Sequence, residues 1–226
     1  KADSCLQTQE INIMRYIQQR NERLAPLVVK RFQARGFSAC FAPTKQEALA
    51  RALSWIPEGS RVSWGGSLSL IQIGLLDAVK AAFSVIDRDS AADPEQRQEL
   101  MRRALLCDVF LTGANAVSDD GQLINMDGNG NRVAALTFGP KQVIVVAGMN
   151  KVVHGVEAGI ERIRTTAAPF NMMRFLKTDS ETICARTGMC ASCIAPDCIC
   201  NSLVITRRSR PNGRIKVLLV GEDLGI

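Results

Sequence analysis

The stretch RVSWGGSLSLIQIGLLDAVKAAFSVI, Arg61 to Ile86, decides the fold class. Arg61–Trp64 reads as a strand that runs straight into Gly65-Gly66-Ser67. Leu68 to Ala82 is apolar with helical spacing, and Phe83–Ile86 reads as the next strand. A strand, a helix and a second strand in this order belong to a parallel sheet with crossover helices.

The same alternation continues on both sides. Upstream, Ile13, Ile17, Leu24, Leu27, Val28 and Phe32 sit mostly at helical spacings over Ile11–Arg35, with an interruption expected near Pro26 and a stop at Gly36. Phe37–Phe41 is a short strand. Thr44, with Glu47 three residues on, reads as a capping box opening a helix that ends at Ser54. Downstream, Pro94–Leu106 reads as a helix and Asp108–Thr112 as a strand. Asp119-Asp120-Gly121 and Asp127-Gly128-Asn129-Gly130 are turns around a short strand, Leu123–Met126. Val143–Ala147 is a continuous β-branched run, as a strand covered on both faces requires. Val156–Thr166 is a helix. Leu203–Thr206 and Ile215–Val220 read as closing strands joined by a turn at Pro211-Asn212-Gly213. The expected architecture is α/β, a mainly parallel sheet with flanking helices. Residues 1–36 form an N-terminal helical extension to an α/β domain, 37–226, which carries a cysteine-rich excursion over 184–200.

Composition supports one folded unit. The 226 residues are 46% hydrophobic and 22% charged, inside the globular range. No apolar run reaches the roughly 20 residues that span a bilayer, and Lys1–Glu10 has no apolar signal core. The expectation is a soluble, cytoplasmic protein without a membrane partner. Lys and Arg number 28 against 22 Asp and Glu, a net +6. That surplus is spread along the chain, and aromatics are few (8 Phe, 2 Trp, 1 Tyr), so a small anionic ligand fits better than nucleic acid.

Three groups of residues can carry chemistry. Gly65-Gly66-Ser67 leaves a strand end where backbone amides can meet an anion at a helix start, although a ligand-free tight turn has the same composition. It is neither a Walker A loop nor a GxGxxG fingerprint, which disfavours classical ATP and NAD folds. Asn115, Asn125, Asp127, Asn131 and Arg132 lie on loops after strands, where Asp127 can act as a base and Arg132 can hold a carboxylate or phosphate; a plain turn cluster is the competing reading. Lys151 joins this group as a cation after the Val143–Ala147 strand. The single histidine, His154, excludes a three-His metal site and reads as surface or structural.

Cysteine gives the sharpest local signal. Cys184, Cys190, Cys193, Cys198 and Cys200 fall within one short segment, with C-x2-C, C-x4-C and C-x-C spacings that suit zinc or an iron–sulfur cluster. Reactive or simply structural thiols remain open alternatives, and a cytosolic setting argues against disulfides. Cys5, Cys40 and Cys107 read as incidental.

The run Ile56–Val79, the run DVFLTGANAVSDDGQLINMDGNGNRVAALTFGPKQVIVVAGMNKVV (Asp108–Val153) and VLLVGEDLG (Val217–Gly225) resemble the lactate-utilisation (LUD) domain family. The likeness runs from about Phe37 to the end, within the stand-alone branch that carries a cysteine-bearing C-terminal segment. It implies a fold related to the NagB, ribose-5-phosphate isomerase and CoA-transferase group, and a part in bacterial L-lactate oxidation alongside iron–sulfur partner subunits. A homo-oligomer is compatible with it. It also implies a metal set of Cys184, Cys190, Cys193 and Cys200, with Cys198 the spare, since relatives carry Arg there. The middle run is similar, too, to a motif of methylthioribose-1-phosphate isomerase relatives. Asn115 stands where those have Asp, and Asn131-Arg132 replaces part of their second segment, so a carboxylate is lost. The expected function is small-anion binding in lactate or related hydroxy-acid utilisation. The alternatives are a sugar-phosphate isomerase-like enzyme or a metal-bearing accessory protein without its own catalysis.

Overall fold

The structure is a computed structural model that describes residues 2–175 and 180–226, with side chains from Ile13 onward. Among the described residues, ten strands form two sheets. In chain order they are β1 Ser38–Ala42, β2 Arg61–Trp64, β3 Ser84–Ile86, β4 Val109–Gly113, β5 Ala116–Ser118, β6 Leu123–Asp127, β7 Gln142–Gly148, β8 Val152–Val153, β9 Ser202–Thr206 and β10 Ile215–Val220. The larger sheet has the order β1-β10-β7-β4-β2-β3, with every neighbouring pair parallel.

Strand β7 shows why this sheet is stable. Val143, Val145 and Ala147 point to one side, into a core with Phe110, Val217 and Leu219. Ile144 and Val146 point to the other, among Val62, Leu111, Leu218 and Val220. Period-two alternation divides one apolar run between two cores. Each fully buried large side chain contributes about 1.5–3 kcal/mol.

Helices cover both faces. Helix α1, Ala2–Ala34, sends Ala25, Val28 and Phe32 into the first core. It runs through Pro26 without interruption, so the break expected there does not occur. The buried contacts on either side of Pro26 offset the one backbone hydrogen bond proline removes. Helix α2, Lys45–Ser54, starts at Thr44, whose Oγ1 accepts the Glu47 N–H at 3.2 Å. The apolar run after Gly66 is two helices, not one: α3, Leu68–Gln72, and α4, Leu75–Ala82. Gly74 separates them at φ 73°, a left-handed conformation that glycine adopts without steric cost. Helix α5, Pro94–Arg103, ends in a 3-10 turn, Ala104–Leu106. Helix α6 is Asn131–Thr137. Helix α7, Gly155–Arg162, continues through a π-turn, Ile163–Ala167, into α8, Ala168–Arg174. Pro169 opens α8, and the wider π-turn fits a residue with no N–H to give the preceding turn. Helix α9 is Ile183–Thr187.

The smaller sheet, β8-β5-β6-β9, corrects the reading of the two closing strands. Strand β9 pairs antiparallel with β6, Asp127 facing Ser202, whereas β10 enters the large sheet between β1 and β7. The segment around Pro211–Gly213 therefore crosses between sheets. His154 lies at the surface, 97% exposed, with Nδ1 3.0 Å from Asp119 Oδ2. Cys107 is a buried core thiol whose pKa burial pushes up to about 12, and Cys40 is half-buried. The Cys5 side chain lies outside the described residues.

Candidate functional site

The C-terminal ends of β2, β4 and β6 open on a cavity of about 630 Å³. Gly66, Ser67, Asn115, Asp127, Asn131, Arg132 and Lys151 all line it, together with Arg88, Arg97 and Arg174. Five lining side chains are cationic (Arg88, Arg97, Arg132, Lys151, Arg174) and two acidic (Asp127, Asp197). Gly65 and Asn125 stand behind this wall, both buried.

Arg132 is the organiser. Nη1 donates to Asn125 Oδ1 at 2.6 Å and Gly113 O at 3.4 Å. Nη2 donates to Asn115 Oδ1 at 2.8 Å and Met126 O at 2.6 Å, and Nε stands 3.3 Å from Asp127 Oδ2. With its side chain 12% exposed, the guanidinium is engaged on every edge by the protein. Asp127 is engaged as well, since Oδ1 accepts the N–H groups of Asn129 and Gly130 at 3.2 and 3.1 Å. Asn115 Oδ1 also takes the Met126 N–H at 3.0 Å. Asn125 is wholly buried, and its Nδ2 finds no acceptor among the described residues.

The paired glycines admit arginines. A Cβ on Gly65 would stand 2.9 Å from Arg132 Cγ and Cδ, and one on Gly66 would stand 2.8 Å from Arg88 Nη2. The helix that follows is the five-residue α3, too short to supply the macrodipole a longer helix would bring. Charge at this strand end comes from side chains instead.

Arg88, just beyond β3, carries no motif and is missed by sequence reasoning; its place after a strand end is the one available signal. Its Nε is buried with no hydrogen-bond acceptor among the described residues, and burial followed by the Asp89 and Arg97 charges dominates its electrostatics, the net effect lowering its pKa. Arg97 Nη1 donates to Asp89 Oδ1 at 3.0 Å. Lys151, 5% exposed, donates from Nζ to Ser69 Oγ and Ala114 O, both at 3.2 Å. Burial, then Arg162 and Arg132, lower its pKa to about 7.

The sequence matches the LUD domain family model over residues 25–220. The chain belongs to the LUD domain family. At family level, LUD membership associates it with lactate utilisation. Among solved structures it is similar to a DUF162 family protein from Deinococcus radiodurans, 16% identical, with 88% of this chain and 98% of that chain covered at a TM-score of 0.53. That likeness supports the LUD fold. Ribose 5-phosphate isomerase A from Methanocaldococcus jannaschii overlaps in part, with 16% identity, 58% of this chain and 64% of that chain covered, and a TM-score of 0.35. No curated protein matches the chain. Among the described residues, no helix of this LUD protein is long and apolar enough to cross a membrane.

The cysteine segment of the LUD chain borders the same site. Cys184, Cys190, Cys193, Cys198 and Cys200 line a second cavity of about 170 Å³, and Cys198 and Ile199 line both cavities. Asn201 fastens the segment to the site loop, its N–H donating to Asp127 O at 3.1 Å and its Nδ2 to Gly128 O at 2.9 Å. A Cβ on Gly128 would meet Ile199 Cα at 3.1 Å, so glycine is what lets the segment close in. Backbone amides turn back on three sulfurs: Ser192 N–H on Cys190 at 3.5 Å, Cys200 N–H on Cys198 at 3.4 Å, and Ala195 N–H on Cys193. The Ala195 amide leads in lowering the Cys193 pKa, while burial leads in raising that of Cys200 to about 12. Among the described residues, no three His, Cys, Asp or Glu side chains already stand as a metal-binding group.

Proposed function

We propose that the strand-end cavity binds a small carboxylate of the lactate and pyruvate class, and that the protein serves hydroxy-acid utilisation in the cytoplasm, beside iron–sulfur oxidation subunits. The observation that carries this reading is the five-to-two excess of basic over acidic side chains around a cavity at the strand ends. Arg88 is the direct anion ligand, and Lys151 also lines the cavity. Arg132, Asn115, Asn125 and Asp127 shape the loops that present them, and Gly65, Gly66, Ser67 and Asn131 complete the wall. The α/β domain from residue 37 holds this machinery, and residues 1–36 extend it.

Thermal-shift titration tests the proposal, because a ligand that binds only the folded chain raises its stability by mass action. Lactate or pyruvate should raise Tm in the parent and not in Arg88→Ala. An equal rise in Arg88→Ala overturns the site. A rise with ribose 5-phosphate alone replaces the reading with a sugar-phosphate enzyme.

A second reading concerns the cysteine segment, favoured by the five thiols gathered around one cavity and by the Ala195 amide that lowers the Cys193 pKa. N–H groups turned on sulfur stabilise thiolate, the form that binds metal. In this reading Cys184, Cys190, Cys193 and Cys200 draw together on zinc or an iron–sulfur cluster, with Cys198 the alternate ligand. Metal analysis of anaerobically purified protein checks it: one zinc or a visible cluster chromophore supports it, and metal-free, reduced, folded protein ends it.

A further inference from the structure

Lys151 presents an arrangement that simple anion binding does not use. It leaves β7 through the turn Met149–Lys151 and buries its amine in the wall of the strand-end cavity. Both acceptors at Nζ, Ser69 Oγ and Ala114 O, are uncharged. The charges that face it come from two other elements, Arg132 on α6 and Arg162 on α7, and both share its sign. No ion pair among the described residues includes it. The backbone is also held clear, since a Cβ on Gly225 would stand 2.9 Å from Nζ.

A buried ammonium between two guanidiniums, without a carboxylate, gives up its proton near neutral pH; burial and those arginines bring its pKa to about 7. The free amine is then a nucleophile, the way enzymes activate lysine beside other cations. A lysine kept to hold an anion by charge would gain nothing from surroundings that neutralise it.

We propose that Lys151 is a catalytic amine that condenses with the carbonyl of a small 2-oxo carboxylate held in this cavity. The proposal rests on the anion-binding reading above and names its substrate class. The Nζ lone pair forms a bond to the carbonyl carbon, and the carbonyl π-pair moves onto oxygen, which takes a proton. The nitrogen sheds a proton to give a carbinolamine, whose hydroxyl takes a second proton and leaves as water while the lone pair regained on nitrogen closes the C=N bond as a protonated imine. One water leaves, and no oxidant or reductant is needed. The substrate carboxylate supplies the negative charge that the lysine's surroundings lack, with Arg88 across the cavity as its partner. Ser69 Oγ, 3.2 Å from Nζ, is placed to pass protons.

Borohydride trapping tests this on the intact 226-residue chain. Protein is incubated with pyruvate, or with the smaller glyoxylate, then reduced, digested and mapped by mass spectrometry. The expected result is a carboxyalkyl group on the Lys151 peptide, at least tenfold above any surface lysine. Lactate, which has no carbonyl, should leave none. Yield at Lys151 should pass half-maximum near pH 7, well below the range in which exposed lysines react. Lys151→Arg should lose the adduct, while site mapping in the parent chain keeps the test independent of how a variant folds. If pyruvate raises Tm and no adduct forms at Lys151, the imine is overturned and the anion site stands. If neither oxo acid raises Tm and neither labels Lys151, both fall. Labelling spread evenly over surface lysines also overturns the imine.

Discussion

Arg132 meets four oxygen acceptors and one carboxylate, which makes it the residue on which the site loops depend. Arg132→Met would leave Asp127 and the oxygens of Asn115 and Asn125 without their cation. The expected cost is about 3–5 kcal/mol, the range for breaking a buried charge pair by removing one partner. Urea denaturation of variant and parent measures it, and a loss below about 1 kcal/mol would show that the network contributes little. Sequence reading reached Asn115, Asn125, Asp127, Asn131, Arg132 and Lys151 because they sit in Gly- and Asn-rich loops, whose composition announces a strand end. Arg88, Arg97 and Arg174 gave no such notice, since they come from the turn after β3, from α5 and from α8 and meet only through the crossover connections. The role of Gly65 was hidden for the same reason, because what it makes room for is an arginine more than sixty residues away.

At the level of elements, local rules read the large sheet well and the small one poorly. Strand β7 was legible because burial on both faces requires an unbroken apolar run. Strands β5 and β8 have three and two residues, too few for any periodicity to show, and β9 finds β6 across a long sequence separation. Pro26 and Gly74 show tertiary packing and local propensity each prevailing once: the first sits in a helix anchored by buried neighbours, the second breaks one. Helix α1 divides along its length. Ile13, Met14, Tyr16 and Ile17 are exposed, while Ala25, Val28 and Phe32 are fully buried, with Phe32 edge-on to Phe37 at 5.1 Å. Replacing any of Ile13, Met14, Tyr16 and Ile17 by Ala should change stability by no more than about 0.5 kcal/mol, as for exposed positions generally. Phe32→Ala should cost about 3–5 kcal/mol. Chemical denaturation of both checks the division, and equal losses would show that the two halves of α1 stabilise the domain alike.

Over the whole molecule, Lys151 couples folding to pH. Its folded pKa lies near 7 and its unfolded value near 10.5, so between these limits the unfolded chain binds the extra proton. Its contribution to stability therefore rises with pH across that window, by at most about 1.4 kcal/mol per pH unit, and its full penalty is present below pH 7. Denaturation from pH 6 to 10 should show this rise in the parent relative to Lys151→Met; parallel curves would mean that the amine keeps its proton when buried. No stretch of sequence foretold this, because the penalty comes from enclosure by β7, α3, α6 and α7 together.

The placing of β10 between β1 and β7 bears on synthesis. Ser38 waits for Lys216 and Ala42 for Val220, so the strand that joins the two earlier neighbours is synthesised long after both. Until then β1 has no partner, and β7 presents an open apolar edge. Long-range parallel pairing of this kind forms slowly and exposes surfaces that aggregate. A nascent chain stalled before Ile215 would therefore be a client for chaperones, and emergence of β10 would be the event that closes the sheet.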